Sequence, residues 1–316
     1  MPETSGWQVT GGDNFMCACV YPGGSTPGLE GQVLSAVRQN GSADDTPDGS
    51  ADDTPDLPQS EYRLVSAELA VAPTVSVVIP VKNEARNLPA VFSSLPDWID
   101  EVVLIDGQSV DDTVAVAKEC YPEIKIVRQM GDGKGDALLV GFAACTSDII
   151  VMIDGDGSTD GAEIIRFVAA LVAGADYAKG SRFSNSGGSD DITRHRRLGN
   201  WMLCSMANLA LGTRYTDLCY GYNAFWARHL PTLRLNCMGF EIETMMNIRA
   251  ARAGLRVQEI PSHEHCRIYG ASNLHVVVDG WRILKVIVAE ALAERARPES
   301  RARSLRRKPS LRHRSP

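Results

Sequence analysis

Beginning at Val75, short apolar runs rich in valine and isoleucine alternate with stretches of helical periodicity, and this alternation constrains the fold more than any other feature. Residues 75–80 (VSVVIP), 101–106 (EVVLID), 124–127 (IKIV) and 148–153 (DIIVMI) read as four strands. Runs this short and this apolar belong in a sheet covered on both faces. Leu88, Val91, Phe92 and Leu95 recur at helical spacing after the first strand. A second helix, capped by Asp111 or Asp112, runs through Val116, and a third covers about 134–144. Asp160 with Glu163 three residues on predicts a capping box for a fourth helix through Val172. The alternation implies an α/β fold, a mostly parallel sheet flanked by helices, with ligands at the carboxyl ends of the strands. That rule singles out Asn83 and Glu84, Asp106, the 131–136 loop and residues 154–158.

After about residue 174 the pattern loosens. Helices are expected at about 197–211 and 241–253, the second stopped by Gly254, with a turn-rich piece at 217–224 and a strand at 256–261. This half is expected to pack against the sheet edge and form one side of the site. An amphipathic helix follows at 276–294. Ahead of the folded part, residues 41–48 and 49–56 repeat the octapeptide GSADDTPD. So acidic and apolar-poor a segment cannot offset its ordering entropy, and residues 1–72 read as a disordered leader rather than a solenoid.

The formal net charge of -7 conceals an acidic head and a basic tail. Residues 1–60 hold nine acids against Arg38 alone, while residues 295–314 hold nine bases against Glu299. A basic, disordered tail at 295–316 behind an amphipathic helix suits an anionic membrane surface, and no nucleic-acid partner is expected. With no basic-then-apolar N-terminus and no apolar run of spanning length, the chain reads as cytoplasmic, peripheral at most on the inner face of the plasma membrane. The eight cysteines are scattered without a CxxC pair and read as reduced thiols, Cys17 and Cys19 included.

Asp154-Gly155-Asp156 follows the most apolar strand directly. Two carboxylates two apart at a strand end can turn toward one hard cation, Mg²⁺ or Mn²⁺, and the phosphate oxygens it carries. Read without that position, DGDGSTDG is a polar turn and helix cap. The loop Gly131-Asp132-Gly133-Lys134-Gly135-Asp136 lets backbone N–H groups and Lys134 approach a phosphate, or is an ordinary βα turn; it matches neither a Walker loop nor a dinucleotide fingerprint. Arg182, Arg197 and Arg267 sit in loops or at a helix start, where guanidinium forks suit phosphate oxygens. His263, His265 and Arg267 alternate along an extended segment and share one face, where the two imidazoles are solvated or ligate a metal.

These blocks resemble the family-two glycosyltransferases, most closely the branch of dolichol-phosphate mannosyltransferases and bacterial polyprenyl-phosphate relatives. The resemblance covers about residues 74–275. It rests on Ile79-Pro80-Val81-Lys82-Asn83-Glu84, Leu104-Ile105-Asp106 and Asp111-Asp112-Thr113, Gly133-Lys134-Gly135, Asp154-Gly155-Asp156 and Lys179-Gly180-Ser181-Arg182-Phe183. It continues through Arg197-Leu198-Gly199-Asn200, residues 217–224, Ile260-Pro261 and Arg267-Ile268-Tyr269-Gly270-Ala271-Ser272. It implies a GT-A fold and an inverting transfer of a hexose from GDP-mannose or UDP-glucose to a lipid phosphate. Pro80, Asn83 and Glu84 would hold the nucleoside, Asp106 the base edge, and Lys134 the donor. Asp154 and Asp156 would take the metal, with Ser158 standing where the branch often has glutamine as a third ligand. Arg182, Arg197 and Arg267 would line the phosphates. The alternative acceptor is a hydroxyl of a glycan or secondary metabolite; it needs a general base, for which Asp217, Glu241 and Glu243 are candidates. Two further readings fit less well. A sugar nucleotidyltransferase would open its first strand into a Gly-rich loop with arginine, where this chain has IPVKNE; an inactive binding module would not keep Asp154 and Asp156.

Overall fold

The computed structural model describes residues 72–296 except Asn273, within one compact unit, Ala70–Pro316. The acidic leader up to residue 71, Cys17 and Cys19 with it, and the basic tail from residue 297 lie outside the described residues.

The first half follows the sequence pattern closely. In order come β1 (Val75–Val81), α1 (Leu88–Ser94), β2 (Glu101–Asp106), α2 (Thr113–Cys120), β3 (Lys125–Arg128), α3 (Lys134–Ala144) and β4 (Ile149–Met152). A 3-10 turn at Gly161–Glu163 then leads into α4 (Ile164–Val172). Alternate residues of β1 feed two cores. Val75, Val77, Ile79 and Val81 face Leu88, Val91, Ala117 and Phe167, while Val78 faces Leu138 and Phe142. Burying a side chain of this size stabilises by roughly 1.5–3 kcal/mol, so both faces reward the parallel arrangement. Asp160 accepts from the Ala162 N–H at 2.9 Å and so caps the turn. The reciprocal half of the capping box is absent, because the Glu163 carboxylate is taken by Ser262 and Arg166.

The second half corrects the expectation. It continues the sheet instead of packing against its edge. The elements are β5 (Tyr177–Ser181), β6 (Gly188–Ser189), α5 (Arg194–Leu211), β7 (Asn223–Trp226), α6 (Leu230–Leu233), α7 (Glu241–Arg252), β8 (Val257–Pro261), β9 (His263–Glu264) and α8 (Val276–Arg295). The main sheet runs β3-β2-β1-β4-β7-β5-β8, with β7 antiparallel to both β4 and β5 and the other pairings parallel. β5 (YAKGS) has only two apolar residues, and β7 (NAFW) begins inside the turn-rich piece, so neither is read as a strand from sequence. Yet all of β5 is buried, Lys179 included, whose ammonium donates to the Gly180 carbonyl at 2.8 Å.

A third core, Cys204, Ala207, Ile248, Ile283 and Ile287, ties α5, α7 and α8 together. Outside it, α5 exposes Leu198, Trp201, Met202, Met206 and Leu209, and α8 exposes Trp281, Val288 and Leu292. No helix among the described residues is long and apolar enough to cross a membrane.

Candidate active site

The carboxyl ends of β1, β4 and β5 open onto a cleft of about 590 Å³, within the ordinary range for small-molecule sites. Pro80, Glu84, Lys134, Asp154, Asp156, Ser158, Arg182 and Arg267 line it, brought together from five sequence blocks. Three of its cations are each held by two carboxylates.

Lys134, at the start of α3, contacts Asp154 and lies 2.5 Å from Glu243 of α7. Burial opposes its charge, but the two carboxylates outweigh that and raise its pKa above the usual lysine value. Burial in turn raises Glu243, against the pull of Lys134. Gly221 closes over this cluster: a Cβ there would stand 2.7 Å from an Asp154 oxygen and 2.9 Å from Lys134 Nζ, so a larger residue would have to displace these side-chain ends.

Arg182, just past β5, donates to both oxygens of Asp217, from Nε at 2.7 Å and Nη2 at 3.0 Å. Its Nη1 reaches Glu264 of β9 at 3.0 Å. Burial works against the Asp217 charge, yet the guanidinium more than offsets it and holds the carboxyl below the ordinary aspartate range.

Arg267 bridges the first and fourth strand ends. Its Nη1 donates to Glu84 at 2.8 Å and its Nη2 lies 3.2 Å from Asp156. Burial pushes the Glu84 carboxyl up, partly countered by Arg267 and Asn87. The 154–158 turn is seated on the same segment: Ser158 N–H donates to Asp156 Oδ1 at 3.0 Å, and His265 N–H to the Ser158 carbonyl at 2.8 Å.

Four expected site residues lie elsewhere. The Asn83 side chain accepts from Val110 N–H at 2.8 Å and joins two loops outside the cleft. Asp106 is buried and accepts from Ser109 N–H at 3.0 Å, while its neighbours Gly107 and Gln129 line the cleft. Arg197 is exposed against the Phe183 ring, and Arg196 lines the cleft in its place. One helical residue turns a side chain by about 100°, which suffices to make that exchange. Asp217 is fully buried behind Arg182, with no face on the cleft.

The glycine loop also differs from a phosphate cradle. Gly135 and Asp136 spend their N–H groups on the Met238 carbonyl, at 2.9 and 3.3 Å. Gly133, at φ +90°, leaves no room for a Cβ against that same carbonyl. Gly133 and Gly135 therefore dock α3 on the segment before α7, while Asp132, Gly133 and Lys134 line the cleft. Of the three candidate bases Glu243 lines the cleft, whereas Glu241 and Asp217 do not. Glu264, Arg196 and Asp191 also line it, none of them signalled by spacing or composition.

The sequence model of glycosyl transferase family 2 matches residues 76–233, half of the chain. Similar proteins include glycosyltransferase AglJ of Haloferax volcanii, 29% identical over 212 residues, covering 65% of this chain and 68% of that one. The undecaprenyl-phosphate mannosyltransferase of Micrococcus luteus is 29% identical over 226 residues, covering 67% of this chain and 92% of that one. Among solved structures, glucosyl-3-phosphoglycerate synthase of Mycobacterium tuberculosis in complex with Mn²⁺, UDP and glucosyl-3-phosphoglycerate has a TM-score of 0.54 at 20% identity, over 70% of this chain and 80% of that one. The fold is that of the GT-A glycosyltransferases. A family model over half the chain, on a mostly parallel sheet with an acidic turn at its carboxyl edge, settles the assignment: the chain belongs to glycosyl transferase family 2.

Proposed function

We propose that the chain is an inverting, metal-dependent hexosyltransferase that moves a sugar from GDP-mannose or UDP-glucose onto a polyprenyl or dolichyl phosphate. One observation favours this acceptor: none of the three candidate bases, Asp217, Glu241 and Glu243, stands free in the cleft. Asp217 is buried with both oxygens on Arg182, Glu241 does not line the cleft, and Glu243 is tied to Lys134. A hydroxyl acceptor needs a base, whereas a phosphate arrives already ionised. The mannosyltransferase of Micrococcus luteus, named for undecaprenyl phosphate and aligned over 92% of its length, supports this reading.

Asp154 and Asp156, with Ser158 beside them, offer oxygen donors only, the set that suits Mg²⁺ or Mn²⁺. Their carboxylates are 29% and 20% exposed at the cleft, so an ion can reach them. Bound there, the ion would offset the charge that develops on a departing nucleoside diphosphate. Glu84 and Pro80 hold the nucleoside. Lys134 and Arg267 exchange a carboxylate for a donor phosphate oxygen, and Arg182 and Arg196 receive the acceptor phosphate. The exposed apolar face of α5, on the helix that carries Arg196, suits docking on an anionic bilayer together with the basic tail.

A donor panel with Mn²⁺, scored for nucleoside diphosphate release with and without a short polyprenyl phosphate, tests the proposal. Release is expected to rise with the polyprenyl phosphate and to stay at background with the corresponding free alcohol. Stimulation by hydroxyl acceptors alone would overturn the acceptor assignment.

A further inference from the structure

We infer that the chain carries a second metal site of different chemistry, a Zn²⁺-type site formed by Asp190, His263 and His265 on the flank of the cleft. The site follows from strand alternation. β6 and β9 form a parallel two-stranded sheet in which Gly188 pairs with His263 and Ser189 with Glu264. Successive residues of β9 point to opposite sides. Glu264 turns inward to Arg182, so His263 and His265 share the outer face. Asp190 follows β6 directly, and its N–H donates to the Glu264 carbonyl at 2.8 Å, which sets its carboxylate beside both rings.

The three side chains converge. Asp190 Oδ2 lies 3.0 Å from His263 Nε2 and 3.6 Å from His265 Nδ1, and the ring centroids are 4.9 Å apart. One ligand atom from each residue lies within 4.8 Å of the others, close enough for all three to bind a single ion. The side chains are 43–54% exposed, which leaves the outer side of the site to water. A carboxylate accepting hydrogen bonds from the two imidazole rings is the plain alternative, and it predicts no metal affinity.

The donor set decides which ion. Two imidazoles and one carboxylate, with an open fourth position, suit Zn²⁺ and its mimic Co²⁺, whereas the all-oxygen Asp154–Asp156 pair suits Mg²⁺ and Mn²⁺. The two sites therefore prefer different ions, and excess Mg²⁺ occupies the oxygen site while the nitrogen-bearing one is probed. An ion on Asp190, His263 and His265 would clamp the segment that leads into α5 onto the strand that leads to Arg267. Asp191 and Arg196 reach the cleft from the first of these segments, and Cys266 and Arg267 from the second. The ion would thus act as a staple on one wall of the cleft, with no part in bond making or breaking.

Co²⁺ titration of the full-length, chelator-stripped protein in excess Mg²⁺ tests this. One equivalent should produce visible d–d bands, and Zn²⁺ should bleach them. The bands should vanish in His263→Ala and His265→Ala, weaken at least tenfold in affinity in Asp190→Asn, and persist in the Asp154→Asn/Asp156→Asn double variant. Zn²⁺ should raise the melting temperature of the wild type by several degrees and that of the histidine variants not at all. All three positions are substantially solvent-exposed, so the variants are expected to fold, and far-ultraviolet circular dichroism checks it. Bands that survive both histidine changes, an intense near-ultraviolet thiolate band, or no stoichiometric binding would each overturn the site.

Discussion

Asp154 and Asp156 are the residues whose loss should separate chemistry from folding. Both lie at the cleft surface and support no apolar core, so Asp154→Asn or Asp156→Asn should keep the fold, with a lowered melting temperature where Lys134 or Arg267 loses a partner, and cut turnover by orders of magnitude. Chelator should do the same to the wild type, reversibly; full turnover in excess chelator would remove the metal from the mechanism. Asp217 should behave in the opposite way. It is buried and touches only protein, so Asp217→Asn leaves Arg182 with Glu264 alone. The cost is roughly 3 kcal/mol, the low end for removing one partner of a buried pair, or a fall of about 5–10 °C in Tm. Its pH dependence has a defined sign. The folded carboxyl sits below its unfolded value of about 3.9, so its contribution is present above that pH and is lost as the pH falls through the folded value. The gap between wild type and variant in denaturant midpoint should therefore be constant near neutrality and narrow below about pH 4. A gap unchanged at low pH would mean that the carboxylate charge is not what holds Arg182.

α5 does two jobs with two faces. Asn200, Cys204 and Ala207 are buried, while Leu198, Trp201, Met202, Met206 and Leu209 form an outward stripe in which Leu209 is 90% exposed. Exposed apolar side chains on one stripe contribute little to folding, but they supply what an interfacial helix needs. Replacing Trp201 and Leu209 together with glutamate should leave Tm within about 1 °C and reduce co-sedimentation with anionic liposomes severalfold. Unchanged liposome binding would assign that stripe another role.

Across the whole molecule, the two charged ends make separable predictions. A chain starting at Pro73 keeps Thr74, which hydrogen-bonds Asp148 at 3.1 Å, and all of β1. Its melting temperature should match the full chain, since the acidic repeat at 41–56 offers no apolar face to bury. A large drop would show that the leader packs on the domain. Removing 295–316 should abolish salt-sensitive binding to anionic liposomes, because each basic residue near such a surface contributes on the order of 1 kcal/mol. Donor hydrolysis should survive that truncation; retained liposome binding would leave α5 as the sole membrane contact.

The sequence by itself determined the parallel half of the sheet, its helices and the acidic turn at its carboxyl edge. Those features are local: β-branched runs, helical periodicity, and a DGD directly after the most apolar strand. Glu84, Lys134, Asp154, Asp156 and Ser158 among the lining residues were legible for that reason, as strand ends are where ligands gather, while Pro80 came from the family resemblance. Tertiary structure alone decided the rest. β5 and β7 became strands through burial and pairing, not through propensity, since YAKGS and NAFW read as loop until β4 and β8 flank them. Arg182 found Asp217 35 residues away and Glu264 82 residues away, distances at which no spacing encodes a partner. The choice of Arg196 over Arg197, and of helix docking over phosphate cradling for the glycine loop, turned on which way a side chain or an N–H points once the elements are packed. Periodicity is a property of neighbours along the chain, and charge pairing and register are properties of neighbours in space.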